Sequence, residues 1–307
     1  MKLSRDAVRP ELWAALETGA VLHVRSGEAR FQLTGKGALT CLQGLVTCDV
    51  EKAVDGSRSY GALLTAKGMI VSPLRIHRHS PHSLMVEAPA SAAPLLEEVL
   101  GRSLPPRLCR WENLTTATTG LGLYGPKAAS LAFPGAAPAV VRGAVGIEGD
   151  LSADAADMFA KELVGAGAVR ATDELMEACR IFAGIPALGA EIDDKTLPQE
   201  VRFDELGAVS YTKGCYLGQE TVARVHFRGH PNRRLVFLVL DAEPGEPPVE
   251  VRLDDKAVGR LTSVAWNAEL DTWAGAAVLR REVEDGATVQ AGETTAVVRT
   301  GRWPREP

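Results

Sequence analysis

One short stretch of the chain combines a nucleophile, a cation and two glycines at close spacing. It reads Lys213-Gly214-Cys215-Tyr216-Leu217-Gly218-Gln219-Glu220. Gly214 and Gly218 allow a tight turn that larger side chains would obstruct, and residues 219–225 are predicted to form a helix. A thiol near a helix N-terminus and near Lys213 and Arg224 tends toward the reactive thiolate. The alternative is a buried, inert side chain, since most free cysteines behave as small hydrophobes.

The segment from Arg202 to Arg234 is locally basic. It has six cationic residues against three acidic ones, about +3, in a chain whose net charge is -5. The cations are Arg202, Lys213, Arg224, Arg228, Arg233 and Arg234. They could line a pocket for a carboxylate or phosphate ligand. They could equally form a solvated face, partly neutralised by Glu220 one helical turn before Arg224.

The run Gly120-Leu121-Gly122-Leu123-Tyr124-Gly125 matches the dinucleotide-binding pattern GxGxxG, with Glu148 at a suitable distance downstream. Its apolar residues favour a strand over a bare phosphate loop. The preceding segment is rich in threonine and makes a poor Rossmann strand. We therefore predict no dinucleotide site.

Two groups of histidines have the spacing of possible metal ligands. His77, His79 and His82 span a predicted strand end and turn, and His226 and His230 flank Gly229. We predict surface or loop histidines in both groups, because neither segment would align the rings on one metal.

The length and composition of the chain limit its possible functions. With 307 residues the chain can form two or three packed units. The five cysteines are scattered without a CxxC pair, which argues against a disulfide framework, a structural zinc site and a protein-held iron–sulfur cluster. No long apolar run or leader pattern occurs, so we expect a cytoplasmic protein that binds neither membrane nor nucleic acid directly.

The elements that must position these residues are mixed. Helices are predicted over 10–17, 91–101, 153–164 and 172–182, among strands such as 20–24, 29–33, 60–64, 69–77 and 121–124. Ser91 is the expected N-cap of the second helix and Gly101 its end. Short β-like runs after Arg234 predict a small β-barrel domain. The fold class is α+β, with elements interleaved too irregularly for a doubly wound sheet.

The central stretch is part of a longer pattern, Ser210-Tyr211-Thr212-Lys213-Gly214-Cys215-Tyr216-Leu217-Gly218-Gln219-Glu220-Thr221-Val222-Ala223-Arg224. This pattern resembles the signature of the YgfZ-type folate-binding proteins, bacterial relatives of mitochondrial iron–sulfur assembly factors. Further matches extend the resemblance over nearly the whole chain. They lie at residues 42–50, 63–68, 180–186, 197–200 and 259–264.

The resemblance implies an aminomethyltransferase-like (GcvT-like) multi-domain fold around a central channel, with a C-terminal small β-barrel. We expect a folate-binding region of two interleaved subdomains at 1–234 and the barrel at 235–307. The implied function is a tetrahydrofolate-binding accessory factor that assembles or repairs iron–sulfur clusters in client enzymes, radical tRNA-modifying enzymes among them. Its expected partners are folate and iron–sulfur client or assembly proteins.

The resemblance also assigns site residues. Cys215 and Lys213 are the expected catalytic residues, and no metal ligands are expected. The residues expected to bind folate are Tyr216, Gln219, Glu220, Arg224, Arg228 and Arg202.

Two alternative functions are found in the same superfamily. The glycine-cleavage aminomethyltransferases resemble this chain in fold but carry an acidic pair where Ser72-Pro73 stands here, and a pterin-binding carboxylate where we align Phe182. Without a positioned carboxylate for proton transfer, worth about 10²–10⁴-fold, a one-carbon transferase or demethylase is the second choice. A non-catalytic folate-binding module is the third, and it would not need the thiol.

Overall fold

The computed structural model describes residues 1–5, 9–139, 143–267 and 271–300. The helices are α1 (Pro10–Thr18), α2 (Ala38–Gln43), α3 (Ala93–Ser103), α4 (Ala153–Gly165), α5 (Asp173–Phe182) and α6 (Gln219–Arg228). The strands are β1 (Lys2–Leu3), β2 (Val21–Arg25), β3 (Glu28–Thr34), β4 (Arg58–Leu64), β5 (Ile70–Ser80), β6 (Ser83–Pro89), β7 (Arg110–Asn113), β8 (Thr118–Tyr124), β9 (Ala137–Pro138), β10 (Gly146–Ser152), β11 (Val169–Arg170), β12 (Arg233–Leu240), β13 (Val249–Leu253), β14 (Lys256–Asn267), β15 (Thr272–Arg280), β16 (Thr288–Ala291) and β17 (Thr294–Arg299).

Two five-stranded sheets form the first two thirds of the chain. The first has the antiparallel order β4-β5-β6-β3-β7, and its apolar face packs against α2 and α3. The second has the order β11-β2-β8-β10-β9, and α4 covers its apolar face. Each sheet thus buries one face under helices, as an α+β layer architecture requires.

The C-terminal strands close into a barrel. The order β14-β13-β16-β17-β12-β15 returns to β14, so six antiparallel strands form a closed ring around an apolar interior. Closure removes the free sheet edges. Strand β1 adds to the ring, because Lys2 and Leu3 pair in parallel with Val264 and Ala265 of β14. The predicted α+β fold with a C-terminal β-barrel is confirmed, and the division at residue 234 stays a prediction.

Helix α5 joins the barrel to the rest of the molecule. Thr172 caps it, accepting a hydrogen bond from the amide of Leu175. Its apolar side packs into a cluster that also contains Trp13 of α1 and Phe237 of β12. Phe182 at its end makes edge contacts with both rings, with centroid distances of 6.0 and 6.3 Å. The barrel and the preceding part of the chain therefore share one core at this helix.

Several predicted details differ from the structure. The Ser91 cap is wrong: residues Ala90–Ala92 form a 3-10 turn, and α3 starts at Ala93 because Pro94 suits a first helical turn. It also runs past Gly101. The GxGxxG run lies on β8, in the middle of antiparallel neighbours, so the prediction of a strand is confirmed.

Among the described residues, no helix has the length and apolar character needed to span a bilayer.

Candidate functional site

The thiol loop, defined as residues 210–218, presents Cys215 at the protein surface. Cys215 is an exposed free cysteine, and Gly214 beside it is exposed as well. A Cβ atom built on Gly214 would have no neighbour within 4 Å. The residues on either side, Lys213 and Tyr216, are both buried. Two exposed residues therefore stand between two buried ones.

Lys213 makes its contacts with main-chain oxygen atoms. Its Nζ donates to the carbonyls of Gln43 at 2.6 Å, Val46 at 2.7 Å and Cys48 at 2.8 Å. Burial lowers the pKa of Lys213 to about 8, which still leaves the ammonium protonated at neutral pH. We call these three oxygen atoms the carbonyl site.

The far end of the thiol loop packs against the turn between β4 and β5. Gly218 has φ +82° and precedes α6. A Cβ there would lie 2.5 Å from the carbonyl oxygen of Thr65 and 3.0 Å from Cα of Gly68. The amide of Leu217 donates to the carbonyl of Gly44 at 3.2 Å. Only a residue without a side chain fits this approach, which explains the second glycine of the motif.

Three cavities border one another through shared lining residues, and together we call them the channel. The outer cavity, about 730 Å³, is lined by Lys52, Arg58, Tyr60 and loop residues Ser210 to Thr212. Tyr60 also lines the middle cavity, about 230 Å³. The inner cavity, about 200 Å³, shares Arg75 and Arg180 with the middle one. The thiol loop therefore forms part of the channel wall.

Arg180 is fully engaged by protein groups. Its guanidinium donates to Glu177, Glu191, Ser263 and the carbonyl of Ile185. Burial opposes its charge, and the two carboxylates raise its pKa. Arg180 thus has a structural role that joins α5 to the barrel, beside the channel it lines.

Arg58 differs from Arg180 in this respect. Its Nη atoms contact Glu87 and Asp150, each at 3.0 Å. Its buried Nε has no hydrogen-bond partner among the residues that the structure describes. A buried donor left unpaired is costly, but the Arg58 side chain is fully buried and presents no donor to the outer cavity.

The ion network between the two sheets holds Arg58 in place. It consists of Arg25, Arg30, Arg58, Glu87, Glu148 and Asp150, all buried or nearly so. Burial raises the pKa of Asp150, and the neighbouring Glu87 raises it further. Removing one member would leave its partners buried and unpaired.

His77 borders this network and corrects a prediction. It was predicted at the surface or in a loop, yet it is 4% exposed and lies on β5, with its ring 4.1 Å from that of His79. Burial and the nearby Arg58 lower its pKa to about 4. Nowhere in the described ranges do three His, Cys, Asp or Glu side chains meet as a metal site.

The six residues predicted to bind folate lie outside the three cavities. Glu220, Arg224 and Arg228 are exposed on α6, and Gln219 begins that helix. Arg202 is buried and donates to Glu205 at 2.7 Å and to the carbonyl of Ala183 at 3.1 Å. Their role in folate binding stays a prediction.

Tyr216 is buried in a core cluster that also contains Tyr60. Its hydroxyl has no hydrogen-bond partner in the described part of the chain, and burial raises its pKa to about 12. The ring therefore holds the thiol loop by packing.

Comparison with known proteins places the chain. The family model of the GCVT N-terminal domain matches residues 2–134. The tRNA-modifying protein YgfZ of Shigella dysenteriae (strain Sd197) is 30% identical over 248 residues, which cover 73% of this chain and 74% of the relative. The chain belongs to the YgfZ family. The family recognised from the sequence is thereby confirmed.

Other members of the YgfZ family match to similar extents. YgfZ of Cronobacter sakazakii is 30% identical over 222 residues, covering 67% of each chain. YgfZ of Vibrio vulnificus (strain CMCP6) is 27% identical over 266 residues, covering 83% of this chain and 78% of the relative. The glycine cleavage system aminomethyltransferase T of Bartonella henselae superposes with a TM-score of 0.84 at 19% identity, covering 96% of this chain and 88% of that one. The aminomethyltransferase-like fold is confirmed.

The positions that the sequence analysis aligned with transferase carboxylates, Ser72-Pro73 and Phe182, carry no acidic group. Ser72 is buried, with its hydroxyl on the carbonyl of Pro73, and Pro73 lines the middle cavity. Phe182 is buried in the apolar core at α5. The carboxylate of Glu28 does line the middle cavity, but it is paired with Arg25 at 2.9 Å.

Sequence reasoning missed the channel residues Lys52, Arg58 and Tyr60. Tyr60 lies three residues before the start of one of the matched segments, residues 63–68, and that position was the available signal. No sequence signal marked Arg58, because its partners Glu87 and Asp150 come from distant strands.

Proposed function

We propose that this YgfZ-family protein binds a reduced folate in the outer and middle cavities and uses the exposed Cys215 thiol in assembling or repairing iron–sulfur clusters of client enzymes. Radical enzymes that modify tRNA are the expected clients, and the name of the relatives, tRNA-modifying protein, supports this. The observation that carries the proposal is the position of the thiol loop, which forms the wall of the outer cavity and exposes Cys215.

The size and lining of the outer cavity support the folate part of this proposal. A cavity of about 730 Å³ lies within the usual size range of small-molecule sites. The ring of Tyr60 borders both cavities and can contact a flat heterocycle. The exposed ammonium of Lys52 can pair with the carboxylates of a glutamate tail. A bound reduced folate would supply a carrier for one-carbon units.

The cysteines support a selective role for Cys215. Cys48, Cys109 and Cys179 are buried and Cys41 is half-buried, while Cys215 is exposed. Burial raises the pKa of Cys48 to about 12 and that of Cys109 to about 11, which keeps both thiols protonated. Reagents and client proteins therefore reach Cys215 first.

The transferase alternative has less support. Its acid–base pair is replaced by Ser72-Pro73, and Glu28 is neutralised by Arg25. A purely folate-binding module would explain the channel but would leave the exposed thiol between two buried neighbours without a purpose.

Activity profiling of iron–sulfur enzymes tests the accessory function. In cells lacking the protein, we expect lower activity of these enzymes, restored by the wild-type chain and not by Cys215→Ser. Enzymes without clusters are the control. Unchanged iron–sulfur activities in the deletion strain would refute the proposal.

Thermal shift measurements test the folate component separately. A ligand that binds only the folded state raises stability by RT ln(1 + [L]/Kd), about 2.7 kcal/mol at a hundredfold excess over Kd. We expect tetrahydrofolate to raise the melting temperature of the wild-type and Cys215→Ser proteins alike, because the thiol does not line the outer cavity.

A further inference from the structure

The thiol loop is tied to the segment that follows α2 at several points. The amide of Ser210 donates to the carbonyl of Thr47 at 2.9 Å, and the amide of Leu217 donates to that of Gly44 at 3.2 Å. Just before the loop, the hydroxyl of Thr47 donates to the carbonyl of Ala208 at 2.6 Å. Between these hydrogen bonds, one charged side chain of the loop reaches into the same segment, and that side chain is Lys213.

The carbonyl site uses the full bonding capacity of the lysine. An ammonium has three N–H donors and no acceptor, and the three donors meet three carbonyl oxygens at 2.6 to 2.8 Å. One of them belongs to Gln43, the last residue of α2, whose carbonyl has no partner within the helix. No donor is left to reach a ligand or the Cys215 thiol.

We infer that Lys213 is the positioning residue of the thiol loop, and that it acts by fixing Gly214 and Cys215 at the surface through the carbonyl site. The sequence had assigned Lys213 a catalytic role beside the thiol. The inference rests on the proposed function only in giving Cys215 a task. It concerns the geometry of the loop and not folate.

The surroundings of Lys213 agree with a structural cation. The charged or titratable groups that act on it are Cys48, Asp49 and Glu51, together with the ring of Tyr216 at 5.2 Å. Arginine cannot replace it, since a planar guanidinium directs its donors in one plane and the ammonium directs three donors in a tripod. Substituting Lys213 by arginine, which keeps the charge, and by methionine, which removes it, therefore separates the effect of the charge from the effect of the donor geometry.

The experiment compares Lys213→Met, Lys213→Arg and the control Lys127→Met, in which an exposed lysine that lines none of the three cavities is changed. The first readout is chymotrypsin cleavage after Tyr216 under native conditions. Local opening determines cleavage of a buried site, so we expect both Lys213 variants to be cut at least about tenfold faster than wild type and Lys127→Met.

The second readout is the pH dependence of Cys215 alkylation by iodoacetamide. If Lys213 only positions the loop, the profile of Lys213→Met matches that of wild type, while both Lys213 variants fail to complement a deletion strain at a temperature where circular dichroism shows them folded. A profile displaced to higher pH in Lys213→Met, with normal complementation by Lys213→Arg, would mean that the charge acts on the thiol and would overturn the inference.

A measurement on the wild-type protein covers the case in which the variants do not fold. Hydrogen exchange should show the amide of Leu217 protected, because it donates to Gly44 while the loop is fixed. Exchange of this amide at the unprotected rate would show a loop that is not held and would also overturn the inference. Neither cleavage nor exchange involves folate or a client enzyme, so these results stand apart from the proposed function.

Discussion

Replacing Gly218 by alanine should loosen the thiol loop, and Gly214→Ala in the same loop provides a matched control. Gly218 has φ +82°, a region that costs a residue with a Cβ about 1–2 kcal/mol. The new Cβ would lie 2.5 Å from the carbonyl oxygen of Thr65. Moving that main-chain atom adds about 1–3 kcal/mol.

These terms are partly offset in the unfolded chain. Alanine loses less conformational entropy on folding than glycine does, and this stabilises the folded state by about 0.4–1 kcal/mol. Gly218→Ala should therefore lower the free energy of unfolding by about 1–5 kcal/mol. Gly214→Ala meets no atom within 4 Å and needs no positive φ, so its effect should stay within about 1 kcal/mol.

Urea unfolding followed by tryptophan fluorescence measures both values. Complementation of a deletion strain then shows whether function follows the loop: Gly214→Ala should complement, and Gly218→Ala should not. Equal stability of the two variants would refute the close approach between Gly218 and the turn at Thr65. It would also remove the physical reason for the second glycine of the motif.

Three further outcomes are expected. His77→Leu should flatten the stability profile between about pH 6.5 and 4. Folding holds the pKa of His77 at about 4, so the unfolded chain binds more protons in that window, and wild-type stability decreases by up to about 3 kcal/mol as the pH is lowered through it. Unfolding at several pH values measures this, and an identical slope in both proteins would speak against it. Cys215→Ser should change stability by less than about 0.5 kcal/mol, because the side chain is exposed, yet fail to complement; a destabilised but complementing variant would point to a packing role. With Ser72-Pro73 in place of an acidic pair, the protein should not transfer an aminomethyl group from a lipoyl carrier to tetrahydrofolate, and turnover like that of a transferase would contradict this.

Elements with local signals could be predicted from the sequence. Helix α5 was placed to within a residue, since Thr172 gives a cap and the apolar residues follow helical spacing. The short β-like runs after Arg234 likewise predicted the barrel, whose strands β12 to β17 lie in that part of the chain. Strand β10 was missed, because Glu148 and Asp150 on it face buried arginines and break the apolar pattern.

The site was predictable in part. The motif identified the loop and its cysteine, but it left a buried thiol as an alternative, and the exposure came from the structure. The partners of Lys213 are main-chain atoms 165 to 170 residues away, which no side-chain pattern encodes. The same holds for His77, whose burial depends on the contact between two sheets. Predictions that depend on contacts between distant segments needed the structure.

Calorimetric titration with polyglutamylated tetrahydrofolate tests the central claim most directly. Lys52→Glu, at the wall of the outer cavity, is compared with Lys127→Glu, an exposed lysine outside it. We predict saturable binding to the wild-type protein that weakens with added salt, falls in Lys52→Glu and is unchanged in Lys127→Glu. The absence of saturable heat at millimolar ligand, at low and high salt alike, would contradict the assignment of the channel as a folate site.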